Sequence, residues 1–173
     1  MALPIIGSAH TEATGSDFIW FIYGSSLSRP AFAAWALRHH YPLPDFAKAV
    51  PALLRNYQLS FDVESGFWGG AVASLREAPG QVVEGIALPM LASARVLVDH
   101  KEGALSGLFE PVEVEVTPLA GGQALHALAY RTHPARRLTV DALPAPSYVS
   151  ALREGAKEWG LSAAYQDALA QLG

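Results

Sequence analysis

Hydrophobic and polar positions along this chain follow two periods, which divide it into a strand-rich first part and a helical end. Phe18-Ile-Trp-Phe-Ile-Tyr23 is an unbroken apolar and aromatic run that stops at Gly24-Ser25-Ser26. Its length and its β-branched and aromatic content predict a buried strand running into a tight turn. Ser28 and Pro30 then open a helix to His40 with Phe32, Trp35, Ala36 and His39 on one face, stopped by Pro42 and Pro44. Ala47 to Val63 reads as extended, with Pro51 at a bend or sheet edge and Tyr57, Leu59 and Phe61 sharing a face. Ser65-Gly-Phe-Trp-Gly-Gly70 is a glycine-rich turn carrying two aromatics. Ala71 to Leu75 and Val82 to Leu88 are predicted strands either side of a hairpin loop at Ala78-Pro-Gly80.

Leu91 to Val98 predicts a short helix, which ends in the ionisable cluster Asp99-His-Lys-Glu-Gly103. Pro111 to Val116 alternates strictly, with Val112, Val114 and Val116 on the buried side and Glu113 and Glu115 on the wet side; Ala124 to Arg131 is a further strand. The period then changes. Pro146-Ser147 opens a helix through Trp159 with Tyr148, Leu152 and Ala156 in one row, Gly160 caps it, and Leu161 to Leu172 forms another helix. Strands first and helices mostly last predict an α+β fold, with a mixed, mainly antiparallel, barrel-like sheet and flanking helices. Residues 1–16 read as a polar N-terminal arm and 17–173 as a single domain without repeat or linker.

Composition narrows the function classes. Hydrophobic residues make up 51% and charged ones 16% of the chain, which is the balance of a packed core and not of disorder. A net charge of −4, with no basic cluster beyond Arg136-Arg137, disfavours a nucleic-acid partner. The lack of cysteine removes a disulfide scaffold, a thiol nucleophile and a cysteine zinc site. No apolar run approaches the ~18 residues that span a bilayer. Leu3-Pro-Ile-Ile6 is too short for a signal peptide, so the expectation is a soluble cytoplasmic protein away from membranes. Nothing in the sequence fixes the oligomeric state, and a homodimer is compatible with it.

Few residues recommend themselves for chemistry. Tyr23-Gly-Ser-Ser-Leu27 is not a nucleophile elbow, and phosphate-loop, dinucleotide-binding and His-Glu-x-x-His motifs are absent. His39 and His40 do not share a helix face, so no metal is expected. The Gly24 turn, at a strand-to-helix junction, is either a plain turn or a cradle whose backbone N–H groups meet an anion or oxyanion. Glu102, followed by the small residues Gly103 and Ala104, is the remaining candidate for acid/base work, the alternative being a solvated loop acid beside Lys101. A carboxyl near apolar walls has its pKa raised toward neutrality.

Taken in order, these motifs resemble the gamma-glutamylcyclotransferase family over residues 18–172. Tyr23-Gly-Ser-Ser-Leu27 is similar to the family's Tyr-Gly-Ser-Asn-Leu loop, Phe67-Trp-Gly-Gly-Ala71 to its Trp-x-Gly-Gly turn, and Asp99-His-Lys-Glu-Gly103 to its Asp-x-x-Glu-Gly segment. Ser106-Gly107, Pro146-Ser-Tyr148, Gly155-Ala-Lys-Glu-Trp-Gly-Leu161 and Tyr165 follow in register. The resemblance implies the family's fold and a cofactor-free lyase reaction, in which a γ-glutamyl group closes on itself to 5-oxoproline and releases an amine or amino acid. It implies Glu102 as general acid/base and Tyr23, Gly24, Ser25, Ser26, Leu27 and Tyr148 as substrate-binding residues. The chain departs from the family at Ser26, where Asn is more usual, and at Phe109, where a close relative has Tyr. Alternatives are a glutathione-specific or biosynthetic γ-glutamyl-removing enzyme, and a non-catalytic small-molecule binding module. The leaving-group half of the pocket is expected from loops 39–46, 64–70 and 132–145.

Overall fold

The computed structural model describes residues 15–173, so most of the expected N-terminal arm lies outside the described residues. Among the described residues, five strands close into a barrel in the order β1-β3-β2-β4-β5. β1 (Phe18–Ile22) runs antiparallel to β3 (Gly70–Met90) and parallel to β5 (Leu125–Thr132). β2 (Val50–Ser65) lies antiparallel between β3 and β4 (Phe109–Pro118), and β4 pairs antiparallel with β5. The sheet is therefore mixed and mainly antiparallel, as the pattern predicts. Closure leaves every strand paired on both sides, so Pro51 marks no free edge.

Among the described residues, four α-helices flank the barrel: α1 (Arg29–Arg38), α2 (Arg95–Lys101), α3 (Pro146–Glu158) and α4 (Ala163–Ala170). The Ser28 side chain accepts the Ala31 N–H at 3.3 Å and caps α1, with Pro30 in its first turn. Phe32 and Ala36 are buried on the predicted face of α1 and Trp35 is half-buried, while His39 is exposed. The Phe32 ring meets Trp20 of β1 at 6.0 Å and Phe46 edge-on at 5.4 Å, which docks the helix on the barrel. Glu84, buried in β3, accepts from the Ser162 N–H at 2.8 Å and hydroxyl at 2.6 Å, fixing the start of α4.

The structure overturns one predicted reversal. No hairpin forms at Ala78-Pro-Gly80; β3 runs through it for 21 residues, and the chain turns at 66–69 instead. Residues on both sides of the loop pair with the same strand: Arg55 faces Val82 and Tyr57 faces Glu77. The turn residues swell out as a bulge. Asn56, at φ 63°, stands opposite it and accepts the Gly80 N–H on its side-chain oxygen at 3.0 Å. The helix expected over Leu91–Val98 also shifts, because a single 3₁₀ turn at Ala92–Ala94 precedes α2, which extends to Lys101.

Candidate active site

One end of the barrel carries a cavity of about 200 Å³. The end of β1 and its turn, the start of β3, the C-terminus of α2, the start of β4, and Tyr148 of α3 surround it.

Glu102 reaches it because of how α2 stops. Gly103 takes φ +74°, its N–H donates to the His100 carbonyl at 3.1 Å, and the Ala104 N–H donates to the Asp99 carbonyl at 2.9 Å. This is the paired closing pattern of a helix whose next residue is left-handed, a conformation glycine adopts freely. Asp99 anchors the same turn from the side: its carboxylate accepts from Arg95 Nε at 2.9 Å and from the Tyr130 hydroxyl of β5. Within Asp99-His-Lys-Glu-Gly103, then, the aspartate fixes the helix, the glycine ends it, and the glutamate is presented to the cavity.

The Gly24 turn is held as tightly. Ser25–Leu27 forms one 3₁₀ turn, closed by Leu27 N–H to Gly24 O and Ser28 N–H to Ser25 O, both at 3.0 Å. The N–H groups of Ser25 and Ser26, at its start, have no acceptor within the turn. α3 lies directly on the turn: a Cβ at Gly155 would fall 2.5 Å from Leu27 Cβ, and the Trp159 indole donates to Leu27 O at 3.0 Å. Gly24 packs closely under α3, where a Cβ would sit 3.0 Å from the Tyr148 hydroxyl.

Tyr23, Gly24, Ser25, Ser26, Glu102 and Tyr148 all line this cavity, so residues separated by more than a hundred positions meet. Leu27 does not. It is fully buried, its N–H closes the turn and its carbonyl binds Trp159, so nothing of it faces a ligand. Tyr23 lines the cavity, but its hydroxyl donates to the Tyr130 carbonyl and serves as a pin. The Tyr148 hydroxyl accepts the Ala73 N–H at 3.0 Å, which leaves its own proton free for an acceptor in the cavity. Phe109 contributes an apolar wall.

Burial dominates the electrostatics. Glu102 keeps some solvent contact through the mouth but is ringed by protein, and desolvation pushes its pKa up to about 7 against a smaller opposing pull from Lys101. Tyr23 and Tyr148 are raised by burial and by the Glu102 charge, so both remain neutral hydroxyls at physiological pH.

His100 and Lys101, which sequence reasoning did not single out, also line the cavity, as do Ser65 and Trp68 of the glycine-rich turn. His100 is oriented by the Tyr41 hydroxyl at 3.1 Å from Nδ1, a contact across 59 positions that no local pattern encodes. Trp68 meets Tyr148 edge-on at 5.3 Å, and its place in the Phe67-Trp-Gly-Gly turn was the available signal. Of the three loops expected to build the rest of the pocket, 64–70 supplies Ser65 and Trp68. The 132–145 segment lies elsewhere: Leu138 and Ala142 N–H groups donate to carbonyls of Asp62 and Phe61 on β2.

Known proteins share this closed, mostly antiparallel barrel. The AIG2-like family model matches residues 82–169. The Bos taurus and Homo sapiens proteins named gamma-glutamylcyclotransferase are each 30% identical to this chain, covering 90% and 91% of it and 78% and 81% of their own lengths. A solved structure named gamma-glutamyl cyclotransferase superposes with a TM-score of 0.74 at 28% identity, covering 91% of this chain and 89% of that one. The chain belongs to the AIG2-like family by that model and to the gamma-glutamylcyclotransferase family by these relatives. A yeast cyclotransferase described as specific to glutathione, at 15% identity and a TM-score of 0.53, shares the fold alone.

Proposed function

We propose that this family member carries out its cyclotransferase reaction in the Glu102 cavity, on a small γ-glutamyl compound. The reading rests on one observation: Glu102 and the Gly24–Ser26 turn line the same cavity. The α-amine of the γ-glutamyl group attacks its own γ-carbonyl carbon. A C–N bond forms to close the five-membered ring of 5-oxoproline, and the C–N bond to the leaving amine breaks. Attacker and target belong to one molecule, so holding the chain folded supplies much of the rate, without an enzyme nucleophile or cofactor.

Glu102 takes a proton from the α-ammonium and gives one to the departing nitrogen, so protons balance over the cycle. A group titrating at about 7 exchanges protons in both directions near neutrality. The Ser25 and Ser26 N–H groups face the oxygen on which negative charge develops, and Tyr148 adds a neutral donor. Leu27 has no part in this contact. A binding module would have no use for a desolvated acid at this point, which favours catalysis over simple capture. The proposed setting is the cytoplasm, in keeping with a cysteine-free chain.

The test is direct. Purified protein incubated with a panel of γ-glutamyl amino acids and amines should release 5-oxoproline, and Glu102→Gln should lower the rate by ~10² to 10⁴. Wild-type activity in the Gln variant would remove Glu102 from the mechanism. Tight binding of the panel without turnover would move the reading to a binding module.

A further inference from the structure

A second cavity, of about 420 Å³, opens beside the first and shares Ser25, Ser65, Trp68 and Lys101 with it. Trp35 and Arg38 of α1 and Phe67 of the glycine-rich turn form its far side. No aspartate or glutamate is found among its described lining residues. The Arg38 guanidinium lies 5.5 Å from the centre of the Phe67 ring, and the Lys101 ammonium 5.5 Å from that of Trp35. Among the described residues neither cation belongs to an ion pair. Lys101 is half-buried, and burial lowers its pKa, so its charge is the less well solvated of the two. Cations set over aromatic faces, without carboxylates, make a site for an anion joined to an apolar group.

Position says which anion. Lys101 borders both cavities and immediately precedes Glu102, toward which the departing nitrogen faces in the reading above. In an α-amino acid the carboxyl carbon is two bonds from that nitrogen, and the side chain branches from the carbon between them. A carboxylate there comes within reach of Lys101, and the side chain continues along the aromatic wall.

We propose that this second cavity holds the residue released by the reaction, an α-amino acid or short peptide. Its carboxylate pairs with Lys101 and Arg38, and its apolar or aromatic side chain packs against Trp35, Phe67 and Trp68. The proposal rests on the cyclotransferase reading and deepens it. A leaving group without a carboxylate forfeits the ion pair, and one carrying a second ammonium meets two like charges.

The experiment compares kcat/KM for γ-glutamyl-phenylalanine, its decarboxylated counterpart γ-glutamyl-phenethylamine, and γ-glutamyl-alanine. The phenylalanine compound should exceed the amine by about 10- to 100-fold, the range set by one hydrogen bond to a charged group, and should exceed the alanine compound as well. In Lys101→Gln the carboxylate preference should collapse toward one, and in Arg38→Gln it should fall. The ratio is the informative quantity, because a change in Glu102 basicity caused by losing the neighbouring charge affects both substrates alike. Equal kcat/KM for acid and amine in the wild type, or a preference untouched by either substitution, would overturn the proposal while leaving the cyclotransferase reading standing. Absence of 5-oxoproline from all three would overturn both.

Discussion

At the end of α2 a carboxyl group is held away from water, and that has a consequence for stability as well as for catalysis. The pKa of Glu102 is raised from 4.5 to about 7 in the folded protein, so the fold binds its proton more tightly than the unfolded chain does. Stability from this group is fully present below pH ~4.5 and is lost as pH rises through ~7, a difference of about 3 kcal/mol at most. Glu102→Gln should therefore be more stable than the wild type in urea at pH 8, and the gap should vanish at pH 4. A constant gap across that range would mean that Glu102 titrates normally. Tyr148→Phe removes a hydroxyl that accepts from Ala73 and faces the cavity, so it should lower kcat/KM by roughly tenfold, in line with one hydrogen bond. An unchanged value would leave Tyr148 as a packing residue. Glu102 was legible as a candidate because its setting is local, an acid followed by the glycine that ends a helix. His100 and Lys101 were not, because what places them is contact with Tyr41 and Trp35.

At the scale of elements, the site depends on two glycines through the backbone paths they allow. Gly103 holds φ +74° at the end of α2. Gly103→Ala should destabilise the protein by about 1–2 kcal/mol and disturb the neighbouring Glu102, whereas Gly103→Asn, tolerated in this conformation, should retain more activity. Gly155 lets α3 lie on the Ser25–Leu27 turn. Gly155→Ala forces a methyl against backbone atoms 2.7 and 2.9 Å away, at a cost of about 1–3 kcal/mol, and should displace the turn enough to raise KM. A variant with wild-type stability and kinetics would show that α3 does not set the turn. Most elements were legible from periodicity, including both ends of α3. The bulge in β3 was not, since Pro79-Gly80 carries the same turn chemistry whether the chain reverses or swells. Only pairing with β2, twenty and more positions earlier in the sequence, decides between them.

For the whole molecule, the barrel closes through β1, its shortest strand, and Trp20 is that strand's largest buried residue. Trp20 faces Leu88 of β3 and Leu128 of β5 in register, with Phe32 of α1 against its ring. Trp20→Ala should cost about 3–5 kcal/mol, a large share of a typical total of about 5–15 kcal/mol, read as a lower urea midpoint. The barrel-like sheet was legible as a class, but its order, with β1 between β3 and β5, was not, because closure rests on pairings far apart in sequence. That closure also brings the Gly24 turn to Glu102, and with it the proposed chemistry. The pH dependence of 5-oxoproline release tests this chemistry most directly. In the wild type kcat/KM should rise to an apparent pKa near 7 as Glu102 becomes a base, and the residual activity of Glu102→Gln should lack that limb, although the substrate's own ammonium titrates with both enzymes. The same limb in the Gln variant, or equal rates for the two proteins, would contradict Glu102 as the group that moves the proton.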